Sequence, residues 1–340
     1  MTIDSEAQLD DILSRPYAED IEAFRALDGD LLILGVGGKM GPSLAIRAAR
    51  AAREAGVARR IIGVSRFSNS GLRGELEAAG VETISADLLD FDQLARLPEA
   101  PHVIFMAARK FGSTGDEALT WAMNALLPAR VAERYRNARI VAFSSGNVYP
   151  FVPVGSGGAT ESTPLSPIGE YAQSVLARER LFEYHSKLYG TPVVLLRLNY
   201  AVELRYGVLV DLARKVFERR PIDVAMGHVN VIWQGDANSV CVRSFPLCQS
   251  PAAVLNLTGP GTLSVREIAR QFGARFGIEP VLIGQEAETA LLNNASRCHE
   301  LFGPPRVSLD QMLDWIAHWV ATGGPSLDKP THFEVRDGKF

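Results

Sequence analysis

The stretch from Asp30 to Arg47, DLLILGVGGKMGPSLAIR, constrains this chain more than any other. Leu31 to Leu34 are four apolar residues in a row, which predicts a short strand buried on both faces. Gly35, Gly37, Gly38 and Gly41 follow within seven residues, and Leu44, Ala45, Ala48 and Ala49 then recur at helical spacing. A strand, a glycine-rich turn and a helix in that order make a phosphate-binding element. The glycines let the backbone turn sharply and let a pyrophosphate approach closely. The helix start offers unpaired N–H groups and the positive end of its dipole. Glycine turns also occur without ligands; the weight here comes from the flanking strand and helix and from the alternation that follows.

That alternation runs to residue 200. Strands are predicted at Ile61–Val64, in VETIS, at His102–Ala108, Ala138–Ser145 and Pro192–Leu198, with helices in GLRGELEAAG, over 116–136 and over 169–189. Residues 146–168, rich in Gly, Pro, Ser and Thr, read as a long loop, a common place for function. The pattern implies an α/β fold with a doubly wound parallel sheet and helices on both faces. Beyond residue 200 the rhythm changes. Helices are expected in GVLVDLARKVFERRP, in LSVREIARQFGARFG with Ser264 as N-cap, and over 309–322, with strands in HVNVIW and AVLNLTG. These pieces would form a smaller C-terminal α/β cap over the edge where ligands bind. The expected division is an N-terminal extension over 1–28 packed on the outside, a nucleotide-binding domain over 29–200 plus about 228–257, a cap over 201–227 and 258–330, and a tail over 331–340 of no assigned role.

With 340 residues, 47% hydrophobic and 22% charged, the composition is that of an ordinary globular protein. A net charge of −4 gives no basic field for nucleic acid. Cys241, Cys248 and Cys298 show neither paired nor metal-type spacing, which suits a reducing compartment and suggests no metal site. The acidic N-terminus is unlike a signal peptide, and no apolar run approaches the roughly 20 residues that span a bilayer. A cytoplasmic protein, off the membrane, is expected.

Several separated stretches together resemble one family, the extended short-chain dehydrogenases/reductases, also called the NAD-dependent epimerase/dehydratase family. GVGGKMG is similar to its G-x-x-G-x-x-G, carried by Gly35, Gly38 and Gly41 with Lys39 and Met40 between. DLLD resembles the acidic turn after the third strand, which would set Asp87 and Leu88 beside the adenine. FMAA resembles the H-x-A-A strand end, with Ala107 and Ala108 beside the cofactor, and MNALLPARV resembles the N-x-x-G-T helix at Asn124. SSGNVYP is similar to S-S-x-x-V-Y-G and puts Ser145 at the catalytic hydroxyl; SPIGEYAQSV resembles P-x-x-x-Y-x-x-S-K at Pro167, Tyr171 and Ser174. The resemblance implies a Rossmann-type fold, an NAD or NADP cofactor, and hydride transfer to or from a carbinol or ketone carbon. In it Ser145 would bind the substrate oxygen while Tyr171 moves the proton. Leu198 and Asn199 would lie near the nicotinamide, Arg197 would make a structural ion pair, and Ser144, Asn147, Tyr149, His228 and Trp233 would face the substrate, though Tyr149, His228 and Trp233 also read as packing residues. The helices over 116–136 and 169–188 correspond to those of the family's four-helix dimer bundle, which implies a homodimer.

One departure stands out. The family has Y-x-x-x-K, and the fourth residue after Tyr171 is Val175. A free tyrosine ionises near pH 10. A cation about 4 Å away, at an effective dielectric of about 20, contributes roughly 4 kcal/mol, or about three pKa units. Without one, Tyr171 stays a phenol near neutral pH, able to donate a proton but poor at taking one. Three readings follow: Lys110 in AARKFG substitutes, or is merely a surface lysine; the oxidised cofactor's ring suffices; or catalysis is lost and a nucleotide-binding sensor or regulator remains. At the second strand, GVSRFSNS offers Ser65 and Arg66 and no acid. An acid would repel a 2′-phosphate and an arginine would pair with it, so the reading leans to NADP over NAD. VNVIWQGD matches the R-x-[YF]-[VI]-H-V-x-D of nucleotide-sugar enzymes well only at Ile232 and Asp236, which favours a simpler sugar, sugar acid or related hydroxy/keto compound.

Overall fold

The computed structural model describes residues 2–68, 70–110, 115–329 and 331–339; Asn69, Phe111, Gly112 and Phe340, quoted in motifs above or in the tail, lie outside them. Among the described residues the central sheet has seven strands, all parallel: β1 (Leu31–Leu34), β2 (Ile61–Ser65), β3 (Glu82–Ser85), β4 (His102–Phe105), β5 (Arg139–Ser145), β6 (Val193–Leu198) and β7 (Ala253–Leu257). Their order is β7-β6-β5-β4-β1-β2-β3. Leu31 pairs with Ile61 on one side and His102 on the other, so the winding reverses at β1 and β4 and opens a crevice at their C-terminal ends.

All four residues of β1 are buried, and the strand's period of two sends them to opposite faces. Ile33 packs with Leu44 and Ala48 of α3 (Gly41–Glu54), while Leu32 and Leu34 pack with Val131 of α7 (Leu127–Arg134) and Phe182 of α8 (Gly169–Tyr189). Each such side chain, fully removed from water, contributes roughly 1.5–3 kcal/mol. The helix predicted over 116–136 is interrupted: Glu117–Trp121 is followed by a π-helical turn, Ala122–Leu126, and then α7.

One predicted strand joins the sheet and another is divided. AVLNLTG, whose residues 253–257 fall in the stretch expected to belong with the nucleotide-binding domain, supplies β7 of the central sheet, with Leu255 opposite Leu196 of β6. HVNVIW is split because its halves have different partners: His228–Val229 pairs with Leu263–Ser264, and Ile232–Trp233 pairs with Ala201–Val202. A second apolar core gathers α9 (Val208–Phe217), α11 (Val265–Phe276) and α13 (Leu309–Ala321). Among the described residues no helix is long and apolar enough to cross a membrane.

The N-terminal extension is not merely laid on the outside. Leu9 and Leu13 of α1 (Glu6–Ser14) enter the second core, and Phe24 of α2 (Ala18–Ala26) enters the core of the sheet. The tail also has a place. Thr331 donates to Asp211 from both backbone N–H and hydroxyl, Phe333 is buried in the second core, and Arg336 lies 4.3 Å over the Phe151 ring.

Candidate active site

The glycines of the turn divide into two kinds. Gly35 has φ +93, and a Cβ there would come within 2.6 Å of the Ala107 nitrogen; a Cβ on Gly41 would sit 2.2 Å from the Val36 carbonyl oxygen. Those two allow backbones to cross closely. A Cβ on Gly38 would meet only the Gly35 carbonyl, at 3.4 Å, so its omission keeps space open. Met40, at the N-cap of α3, provides no side-chain cap, and Pro42 has no N–H to satisfy.

From this turn a cleft runs both ways along the C-terminal edge of the sheet, its halves joined at Gly38, Met106 and Ala108. One half, about 220 Å³, is walled by Ser65 at the end of β2 and Arg66 just past it, by Asp87 and Leu88 beyond β3, and by Ala107 beyond β4. Asp87 holds its own turn by accepting from the Leu89 N–H at 3.0 Å. The other half, about 380 Å³, is walled by Lys39, Met40, Lys110, Ser144, Ser145, Asn147, Tyr171, Leu198 and Asn199. The two halves and the open cradle at Gly38 make one elongated cleft, with Ser65, Arg66 and Asp87 at one end, the glycine turn at the middle, and Leu198 and Asn199 in the other half, a form suited to an extended ligand with phosphates at its centre.

Ser145 ends β5 and Tyr171 lies in the first turn of α8; the loop between them, bridged through Ala159 to Asn293, brings their side chains into a hydrogen bond. Tyr171 is 8% exposed. Burial raises its pKa above the ordinary 10.0, against smaller downward effects of Arg178 and Ser145. Near neutral pH it is a proton donor.

Cations crowd the larger half. The half-buried Lys39 side chain donates to the Ala201 carbonyl at 2.9 Å and lies 4.2 Å over the Tyr206 ring. Burial first, opposed by Glu203 and reinforced by the nearby Lys110 charge, pulls its pKa down to about 7. Burial likewise brings Lys110 to about 8, with Asp211 opposing. Arg178 is a charge that acts on Tyr171, and it lowers the phenol's pKa. Arg178, the adjacent phenols Tyr200 and Tyr206, and Lys329 and Thr331 of the tail line this half too. None was singled out from sequence. Arg178 had a usable signal, since it falls seven residues after Tyr171 on one helix face; the tail residues had none.

Other expected contacts are corrected by the packing. Asn124 is fully buried on the π-helical turn and does not line the cleft. Its amide accepts from the Arg109 N–H and from Arg178, and donates to the Arg109 carbonyl and to Ser174. Ser144 reaches the cleft wall, but its hydroxyl donates to Glu179. Glu179 is paired in turn with Arg197 at 2.7 Å, the structural ion pair expected there. Tyr149 is 1% exposed and lies outside the cleft, its hydroxyl donating to Asn256 and accepting from Arg197. Trp233 is fully buried against Trp315, ring centres 5.3 Å apart, and is a core residue. His228 sits on the short strand opposite Ser264 and does not line the cleft.

Solved structures share this fold. Thermus thermophilus UDP-glucose 4-epimerase, in complex with NAD, superposes with a TM-score of 0.70 at 20% identity, over 85% of this chain and 98% of that one. Bacillus cereus UDP-glucuronic acid 4-epimerase, also in complex with NAD, gives 0.71 at 18% identity over 86% and 98%. Bacillus anthracis dTDP-glucose 4,6-dehydratase, in complex with NAD, gives 0.72 at 15% identity over 86% and 97%. No curated protein sequence matches the chain. In sequence, residues 31–204 match the NAD dependent epimerase/dehydratase family. That span is just over half of the 340 residues and carries both the glycine turn and the helix bearing Tyr171, so this protein belongs to the NAD dependent epimerase/dehydratase family.

Proposed function

We propose that this protein is an NAD(P)-dependent oxidoreductase or epimerase acting on a sugar, sugar acid or related hydroxy/keto compound. The observation that carries this reading is the hydrogen-bonded pair of Ser145 and Tyr171 on the wall of a cavity that opens onto the glycine turn. A bound nicotinamide dinucleotide would supply hydride chemistry in the larger half of the cleft. The chain's part is to hold the substrate oxygen on Ser145 and to pass a proton through the Tyr171 phenol, which donates most readily to a carbonyl being reduced. The half-buried Lys39 and Lys110 side chains on the cleft wall favour a substrate that also bears a carboxylate or phosphate. The solved relatives named above are enzymes of nucleotide-sugars; the weak match of VNVIWQGD to their later motif keeps the proposal to the simpler class.

Calorimetry with NADH and NADPH, followed by a panel of neutral and acidic hydroxy and keto compounds assayed with both cofactors, tests the reading. Binding of either cofactor and turnover that favours acidic compounds are expected; no uptake of either cofactor overturns it.

For the cofactor, we infer a preference for NADP, because Arg66 lines the smaller half of the cleft just past β2 and β2 ends without an acid. A hydrogen bond to a charged group contributes about 1.5–3 kcal/mol. Arg66→Asp is therefore expected to weaken NADP+ binding by about 10- to 100-fold and to leave NAD+ within about threefold, read as the ratio of the two Kd values. An unchanged ratio removes Arg66 from the argument.

We also infer a homodimer through the helices flanking Tyr171. Leu126, Tyr184 and Leu188 are 47, 59 and 53% exposed, an unusual apolar display on the two elements the family resemblance assigns to a dimer. Tyr184→Glu combined with Leu188→Glu is expected to turn a dimer into a monomer in sedimentation velocity; a wild-type protein that sediments as a monomer at micromolar concentration defeats this inference.

A further inference from the structure

Arg178 is 2% exposed, yet among the described residues no carboxylate is hydrogen-bonded to its guanidinium. One terminal nitrogen donates to the Phe143 carbonyl at 2.8 Å, the other to the Asn124 amide oxygen at 2.8 Å, and the buried Nε has no partner among the described residues. Its neighbour Glu179 adds a favourable field, but that carboxylate is already bidentate to Arg197 and accepts from Ser144. Burying a cation among neutral acceptors is costly, and packing alone does not repay it. The side chain does, however, line the same cavity as Ser145 and Tyr171.

Helix geometry explains how it gets there. Residues seven apart lie on one face about 10.5 Å apart along the axis, and helical side chains tilt back toward the N-terminus. An arginine at 178 therefore points up α8 toward Tyr171, past Val175, which is fully buried and ends short. Both clamps come from elements that already serve the cleft. Phe143 precedes Ser144 and Ser145 on β5, and Asn124 sits on the π-helical turn that breaks the preceding helix. The head group is thus fixed from two sides, by a strand end and by a residue held in place through Arg109 and Ser174.

We propose that Arg178 is the positioning residue that supplies the positive charge at Tyr171, reaching from two turns down the helix to do what the residue at 175 does not. It acts through Tyr171, making the phenolate easier to form and the proton easier to return. The proposal rests on the reading of Tyr171 as the proton carrier. The other titratable or hydroxyl groups lining this half among the described residues are the Ser144 and Ser145 hydroxyls, the Tyr200 and Tyr206 phenols, and the ammonium groups of Lys39, Lys110 and Lys329, with Thr331 beside them. Arg178 itself keeps its charge near neutral pH, although burial lowers its pKa to about 10.

The test is a ¹⁹F NMR titration of the full chain with 3,5-difluorotyrosine at position 171, whose phenol ionises in a convenient range. In Arg178→Gln the midpoint is expected to rise by about one pH unit or more, a tenfold change in the ionisation constant. Arg178→Lys is expected to keep the wild-type midpoint, and Val175→Lys in the Arg178→Gln background to bring it back down. A midpoint that stays within about 0.3 unit of wild type in Arg178→Gln overturns the proposal. Should that variant fail to fold, the ¹⁵Nε resonance of Arg178 in the otherwise unaltered chain decides: it must titrate with the midpoint of residue 171, and its indifference to that ionisation overturns the proposal equally. Neither measurement needs a cofactor. A chain that binds neither NADH nor NADPH but shows the linked titration therefore defeats the proposed function and leaves this inference standing.

Discussion

Tyr171→Phe is expected to lower turnover of any substrate found by about 10²–10⁴-fold, the usual range for a positioned acid or base, with cofactor affinity changed by less than about threefold. The substitution is well matched to the question. The ring is packed with Val148, Tyr149, Ala159 and Val175, and phenylalanine keeps those contacts while deleting only the hydroxyl that meets Ser145. The pH profile adds a second readout. Burial is the leading influence on this phenol and raises its pKa, so the protonated form dominates through neutral pH. Reduction needs that form and should be flat around neutrality, falling only as the medium becomes alkaline enough to ionise the phenol. Oxidation needs the phenolate and should climb with pH over the same span. In Tyr171→Phe both dependences should vanish along with the rate. If the variant retains full turnover, the proton is carried elsewhere and the assignment is lost. If the wild-type protein binds a cofactor tightly and turns over no sugar, polyol or keto acid, the sensor reading raised by Val175 takes its place.

What was legible in the sequence was local. Four apolar residues, a run of glycines and an apolar helical face specify β1, the turn and α3 without help from distant parts of the chain, and the β-α alternation then implies the parallel sheet. Non-local features were hidden. AVLNLTG reads the same whether it joins the cap or adds a seventh strand beside β6; hydrogen bonding to Val194–Leu198 decides it. Trp233 and Tyr149 were placed at the substrate because an aromatic near a motif has one appearance in sequence and two possible surroundings. One meets Trp315, and the other is enclosed with Arg197 and Asn256. Asn124 matched its motif, but its amide is taken up by Arg109, Ser174 and Arg178, so it supports the cleft from behind. Arg178 was passed over because an arginine amid Arg and Glu on a long helix reads as solvated surface. The tail KPTHFEVRDGKF offered no pattern at all, since its anchor Asp211 lies 120 residues away and the core that takes Phe333 is assembled from several distant elements.

The extension hides the largest stability effect. Asp20 and Arg47 are both fully buried and paired at 2.6 Å, and Asp20 also accepts from the Ser239 hydroxyl at 2.5 Å and the Tyr17 N–H at 2.9 Å. One carboxylate thus ties α2 to α3 and to α10 (Gln234–Arg243). Asp20→Ala leaves the guanidinium buried without its counter-ion. Among the described residues the Leu13 carbonyl at 3.4 Å, the Tyr17 ring at 4.6 Å and the more distant field of the Asp236 carboxylate remain to it, and its Nε has no partner. Breaking a buried pair in this way costs about 3–5 kcal/mol, which urea unfolding followed by circular dichroism should register as a lower midpoint with little change in slope. Replacing both partners by apolar residues, Asp20→Leu with Arg47→Met, is expected to recover most of that loss, because the penalty belongs to the stranded charge more than to the missing attraction. The consequence reaches the cleft, since Arg47 stands on α3, whose first turn faces the phosphate cradle. Asp20→Ala should therefore also weaken cofactor binding measured by calorimetry, and the double replacement should restore it. A single variant that loses less than about 1 kcal/mol would mean that solvent reaches Arg47 once Asp20 is gone, and that the extension is held by Leu9, Leu13 and Phe24 alone.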